Sequence, residues 1–181
     1  MFDNRPVSRR HFLRVGILTA GSQLVPARRA AALTGARALA FRNLHTGELL
    51  DAVYRVDGRY VPDALRRIDW LLRDYRTGEE HEIDRRLLDL LSALRSVLDS
   101  NELFEVISGY RSPATNARLA ATSSGVARGS LHVAGMAIDI RLPGRSLGAL
   151  RDAARSLGHG GVGYYPRSGF VHVDIGPVRY W

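Results

Sequence analysis

The chain has 181 residues, 26 basic and 18 acidic side chains, a formal charge of +8, 45% hydrophobic residues and no cysteine. The missing cysteines exclude a disulfide framework, so a hydrophobic core has to supply the stability. A positive balance raises nucleic acid as a partner class, but that reading needs a basic face, and here every basic residue is an arginine scattered among acids.

The amino terminus reads as an export signal. Ser8-Arg9-Arg10-His11-Phe12-Leu13 is a twin-arginine pattern, followed by an apolar stretch from Val15 to Val25 and small residues at Ala30 and Ala32. The stretch includes Gly16, Thr19, Gly21, Ser22 and Gln23, whereas a membrane-spanning helix needs about 20 largely apolar residues. It is too short and too polar to span, so no stable transmembrane segment is expected in the mature protein. Residues 1–32 are expected to be a signal peptide handled by the twin-arginine export machinery, which places the protein in the periplasm or cell envelope. Residues 33–181 are expected to be the working domain. Six arginines and one aspartate precede residue 33, so the remainder carries a net charge of about +3. That weakens the case for nucleic acid and suits an anionic polymer such as a cell wall. Roughly 149 residues suit one domain that buries about two-thirds of its chain surface.

Arg37 to Leu50 alternates apolar and polar residues around a Thr46-Gly47 turn, and Ala52 to Tyr60 carries the Asp57-Gly58 pair of a hairpin, so a β-ribbon opens the domain. Pro62 then starts a helix with Leu65, Ile68, Leu71 and Leu72 at helical spacing, expected to end near Arg76. Asp84 can cap a second helix whose Leu87, Leu88, Leu91, Leu94, Val97 and Leu98 form a stripe toward the core. Leu103 to Ser108 reads as a strand, broken at Gly109-Tyr110-Arg111-Ser112-Pro113 before a short helix from Pro113 to Ala121. Thr122 to Ser130 is small and polar and reads as a loop leading to His132. Ala137 to Leu142 is a strand, Ser146 caps a helix to Leu157, and Gly160–Tyr165 with Gly169–Ile175 forms a closing hairpin. The expected class is α+β, an antiparallel sheet with helices packed on one side.

Within this order, Ser130 to Asp139 and Phe170 to Asp174 hold three potential metal ligands, His132, Asp139 and His172. Two imidazoles and one carboxylate suit a single Zn²⁺ ion with a fourth position left for water, the arrangement of catalytic zinc. Period-two alternation sets His172 and Asp174 on one side of their strand and Val171 and Val173 on the other. Asp139 shares a face with Ala137 while Ile138 and Ile140 enter the core. A buried, unpaired aspartate is costly, so Asp139 wants a cation. His159 sits beside the Gly160-Gly161 turn and reads as a solvent-facing loop histidine, while His11, His45 and His81 show no ligand spacing.

The pattern S-x-H-x-x-G-x-A-x-D from Ser130, the later H-x-D from His172 and the upstream Ser108-Gly-Tyr-Arg-Ser112 resemble the zinc D-Ala-D-Ala metallopeptidases, most closely the YcbK-like murein endopeptidases. The likeness extends from about Phe41 to Trp181 and takes in Asn43–Glu48, Gly160–Arg167 and Gly176–Trp181. It implies the compact fold of that superfamily and hydrolysis of peptide cross-links in peptidoglycan, including cross-links that involve diaminopimelate. It also implies that Arg111 contacts substrate and helps stabilise the transition state, where a fixed guanidinium can meet a developing oxyanion through two hydrogen bonds. Ser108 and Tyr110 are candidates to orient Arg111 or line the cleft, and Asn116 to bind a peptide backbone. One departure matters. Many relatives carry a glutamate or histidine two or three residues before the last zinc-binding histidine, and here those positions are Phe170 and Gly169. Asp174 is left with two candidate roles, proton acceptor in catalysis or holder of the His172 tautomer. A D-Ala-D-Ala carboxypeptidase and a non-catalytic zinc-bearing wall-binding domain remain as alternatives.

Overall fold

A computed structural model describes residues 35–122, 127 and 129–181. The signal expected over residues 1–32 and most of the loop expected over 122–130 lie outside the described residues.

One eight-stranded sheet runs through the domain. Its strands in chain order are β1 (Arg37–Asn43), β2 (Leu49–Val56), β3 (Arg59–Tyr60), β4 (Phe104–Ser108), β5 (Ala137–Arg141), β6 (Gly161–Tyr165), β7 (Phe170–Asp174) and β8 (Arg179–Tyr180). They lie side by side as β3-β2-β1-β4-β5-β7-β6-β8. Four α-helices complete the order among the described residues: α1 (Pro62–Leu71), α2 (Arg85–Val97), α3 (Pro113–Thr122) and α4 (Leu147–Ser156). The α+β class holds, and the sheet is mostly antiparallel. It departs from a purely antiparallel sheet at two pairings, since β1 lies parallel to β4 and β6 parallel to β8. The first has the long helical crossover that parallel neighbours require, supplied here by α1 and α2.

Local chemistry explains where the helices start. Pro62 occupies the first turn of α1, Asp84 accepts from the Arg86 backbone N–H at the start of α2, and Ser146 accepts from that of Ala149 at the start of α4. Helix α1 stops at Leu71, short of Arg76. Its last carbonyls are taken from outside the helix, Leu71 by the Asn43 side chain at 3.0 Å and Leu72 by the Tyr110 N–H at 2.8 Å. Asp74 then accepts from the backbone N–H groups of Arg76 and Ser112, so residues 73–78 form a turn that grips the next strand's exit instead of a further helical turn.

The sheet has two dissimilar faces because its side chains alternate. Leu39, Phe41, Phe104, Val106, Ile138, Ile140, Val171 and Val173 are all essentially inaccessible. They form one core with Ile68 of α1, Leu87, Leu88, Leu91 and Leu94 of α2, and Leu150 of α4. Truncating any one of these leucines to alanine costs about 2–5 kcal/mol, since the hole left behind fills only partly. The other face carries polar groups. Register sets Ser108 beside Asp139, Asp139 beside His172, and His172 beside Gly163, one row across β4, β5, β7 and β6.

Candidate metal centre

His132 comes from a 3-10 turn, Leu131–Ala134, which the sequence did not announce. Ser130 caps the turn by accepting from the His132 N–H, and Gly135 ends it in the left-handed region at φ 65°. A side chain at Gly135 would be strained by that backbone and would also lie 2.4 Å from the Glu82 carbonyl. The turn is pinned to the strand exit as well, because the Arg111 N–H donates to the His132 carbonyl at 3.2 Å.

Each imidazole is oriented by a neighbour that occupies one nitrogen. His132 Nδ1 lies 2.7 Å from the Gly109 carbonyl, an acceptor only, so Nδ1 carries the proton and Nε2 is left unprotonated. His172 Nε2 lies 3.0 Å from Asp174 Oδ2, which in the same way directs Nδ1 to the opposite side. The two free nitrogens and Asp139 Oδ1 converge: His132 Nε2 to His172 Nδ1 is 3.2 Å, His132 Nε2 to Asp139 Oδ1 is 3.3 Å, and His172 Nδ1 to Asp139 Oδ1 is 2.8 Å. A tetrahedral ion with bonds of about 2.0–2.2 Å sets its ligands roughly 3.3–3.6 Å apart, so the three atoms need to move only a few tenths of an ångström to hold one. They are the one group among the described residues able to do so. The donor set, two neutral imidazoles and a carboxylate, each with an outer partner, fits zinc.

The electrostatics divide between the two imidazoles. Burial pushes the His132 imidazole below its ordinary value, toward the neutral form a metal needs. Burial opposes charge on Asp139 too, but His132 and His172 outweigh it and hold that carboxyl well below the usual range. His172 is buried as well, yet its bonds to Asp139 and Asp174 raise it. Asp139 also meets Arg111, whose Nη2 donates to its second oxygen at 2.7 Å while Arg111 Nε donates to Ser108 Oγ at 3.0 Å.

Asp174 does not face the cleft. It is fully buried behind the His172 ring and accepts from the backbone N–H groups of Gly161 and Gly176, at 2.9 and 2.8 Å, and from both terminal nitrogens of Arg179. Burial alone would raise its pKa, but His172 and the two glycine N–H groups hold it well below the ordinary value. Of its two candidate roles, this geometry suits the positioning one.

A cleft of about 390 Å³ opens over the cluster, walled by Arg111, Ser130, His132, Asp139, Tyr165, Phe170, His172 and Trp181 among others. Ser108 stands behind Arg111 and orients it. Tyr110 and Asn116 are not brought to this cleft: the Tyr110 ring turns to stack on His81 at 4.8 Å, and the Asn116 amide donates to the Ala127 carbonyl at 3.2 Å, beside a separate apolar hollow under α3. Tyr165, Arg179 and Trp181 are among the cleft residues that had no role assigned from the sequence. Strand alternation carries a signal for Tyr165, which shares a face with the residue paired to His172. Trp181 arrives only through the β6–β8 pairing, which no local pattern announces.

Comparison with known proteins bears on this arrangement. Residues 31–181 match the profile of a family described as Peptidoglycan L,D-endopeptidase MepK. The Escherichia coli protein named Peptidoglycan L,D-endopeptidase MepK is 42% identical, aligned over 99% of this chain and 100% of its own length. A Haemophilus influenzae protein named Probable peptidoglycan L,D-endopeptidase MepK is 40% identical over 96% of this chain and 95% of its own length.

Proposed function

Because the chain belongs to the peptidoglycan L,D-endopeptidase family so matched, we propose that it is a zinc-dependent murein endopeptidase that hydrolyses L,D peptide cross-links in peptidoglycan. The observation that carries this reading is the convergence of His132 Nε2, Asp139 Oδ1 and His172 Nδ1 on the floor of an open cleft. One zinc ion held by these three atoms would polarise a substrate carbonyl and acidify a water molecule enough to attack at neutral pH.

The protein's own residues prepare that chemistry. The Gly109 carbonyl and Asp174 fix the two imidazole tautomers, so neither ring has to reorganise. Arg111, held by Ser108 and Asp139 at the cleft wall, retains Nη1 with no bonding partner among the described residues. We assign it to the substrate carbonyl or a peptide carboxylate, where a fixed guanidinium stabilises developing negative charge. Tyr110 and Asn116 belong to the scaffold behind it. The twin-arginine segment and residues 33–181 are assigned to export and catalysis respectively, with the enzyme acting in the cell envelope. No helix among the described residues is long and apolar enough to cross a membrane.

The test is digestion of purified cross-linked sacculi by the zinc-loaded domain and by its His172→Ala variant, with muropeptides read by chromatography and mass spectrometry. Loss of L,D cross-linked dimers with the unsubstituted protein alone is the expected result. Removal of terminal D-Ala from monomers with dimers intact would make it a carboxypeptidase. Stoichiometric zinc with binding to sacculi but no cleavage would make it a binding domain.

A further inference from the structure

The row Ser108, Asp139, His172, Gly163 ends at a glycine for a spatial reason. A Cβ at Gly163 would lie 2.7–2.8 Å from the indole of Trp181, so the missing side chain is where that indole rests on the sheet. There the Trp181 ring lies 5.3 Å from the His172 ring, centre to centre, and its Nε1 is 2.7 Å from the Tyr165 hydroxyl. Tyr165 is two residues beyond Gly163 on the same strand face and stacks on Phe170 at 4.6 Å.

The polarity of the Trp181–Tyr165 bond is unambiguous. An indole N–H can only donate, so the phenol oxygen accepts and its own hydrogen must point elsewhere. Among the described residues that hydrogen has no acceptor, and the hydroxyl belongs to the cleft wall. Of the neighbouring polar groups, Ser130 Oγ accepts from the His132 N–H, and Arg179 donates to Asp174 and the Pro177 carbonyl. The order of strands also separates Arg111 from Tyr165. Arg111 stands on the β4–β5 side of the metal cluster and Tyr165 on the β6–β7 side, so a chain crossing the cleft would meet a donor at each flank.

We propose that the Tyr165 hydroxyl donates a hydrogen bond to the peptide in the cleft, as a substrate-contacting residue for which Trp181 is the positioning residue. This rests on the reading of the cleft as a peptide-hydrolysing site. A peptide offers carbonyl oxygens as acceptors, and a ring fixed by Phe170 and Trp181 loses little freedom when it donates to one.

The test is a double-substitution cycle on a soluble cross-linked muropeptide dimer, using the zinc-loaded protein, Tyr165→Phe, Trp181→Phe and the double variant. Zinc content and Tm are followed in parallel. Tyr165→Phe keeps the ring and frees only a half-exposed indole N–H, so both should be unchanged while kcat/KM falls about 3- to 10-fold, the range for one hydrogen bond to a neutral carbonyl. Trp181→Phe should fall less, and the double variant should be no worse than Tyr165→Phe alone, because an orienting group has nothing left to orient. A Tyr165→Phe protein within about twofold of the parent in kcat/KM, or one that loses zinc or Tm, overturns the substrate role, and losses that simply add overturn the part given to Trp181. If the parent protein cleaves nothing, it is the endopeptidase reading that fails, and calorimetric binding of the same dimer decides this one: weaker binding to Tyr165→Phe supports it and equal binding overturns it.

Discussion

The two ring nitrogens of His172 do different work, and the residue that separates them is Asp174. Its carboxylate fixes the Nε2 proton and is itself held by two glycine N–H groups and the Arg179 guanidinium, which leaves Nδ1 aimed at Asp139 and His132. Asp174→Asn keeps the shape but makes a poorer acceptor and sets an NH₂ group among donors. It should lower zinc affinity about 10- to 100-fold, as loss of an outer partner typically does. Competition with a chromophoric chelator measures this directly, and an unchanged affinity would remove Asp174 from any part in setting the tautomer. At this scale the sequence was informative where chemistry and alternation coincide: His132, Asp139 and His172 were picked out by residue type and spacing, and Asp174 by its place two residues along the same strand. It assigned no role to Trp181 and offered Tyr110 for a cleft that its ring turns from, because both placements depend on which distant backbone the residue lies against. Tyr110 is turned from the cleft by the bond from its own N–H to the Leu72 carbonyl.

Between elements, one carboxylate of α2 gathers several polar groups of the β-ribbon. Asp89 accepts from the hydroxyls of Tyr54 and Tyr60, at 2.9 and 2.7 Å, and from Arg37 and Arg55. Burial would raise its pKa, but these hydroxyls and guanidinium groups more than offset that and hold it below the ordinary value. The same burial, with the nearby carboxylate, pushes the Tyr54 phenol up to about 12, so Tyr54 remains a donor at any working pH. An unfolded aspartate titrates near 3.9, and the folded one lower, so on acidification the unfolded state takes up the proton first. The contribution of Asp89 is therefore complete above about pH 4 and is lost as pH falls through the lowered folded value. Asp89→Asn should cost about 1–3 kcal/mol at pH 7 in urea unfolding, and the gap between parent and variant should close below about pH 4. A gap that is constant with pH would mean that the carboxylate's charge contributes nothing. The elements that meet here were legible because their signals are local: Pro62, the Asp84 cap and the leucine stripe, and the Asp57-Gly58 turn. The early end of α1 and the parallel neighbours of β1 and β6 were not, since they are decided by partners remote in the chain.

For the molecule as a whole, the candidate metal centre joins segments that are otherwise far apart. His132 stands on the 3-10 turn, Asp139 on β5 and His172 on β7, while the Gly109 carbonyl that orients His132 follows β4. The unfolded chain separates these groups and has no preformed site, so an ion held by them would bind the folded state far more tightly and would stabilise it. At a hundredfold excess of free zinc over its Kd the gain is about 2.7 kcal/mol, which for a domain of this size raises Tm by roughly 5–10 °C. Calorimetry with zinc and after chelation should show that difference in the parent protein and lose most of it in His172→Ala. The His172→Ala protein should also start below the metal-free parent, because Asp139 and Asp174 each lose the imidazole that neutralises them. Equal Tm values for the parent with and without zinc would mean that His132, Asp139 and His172 do not hold an ion in the folded protein.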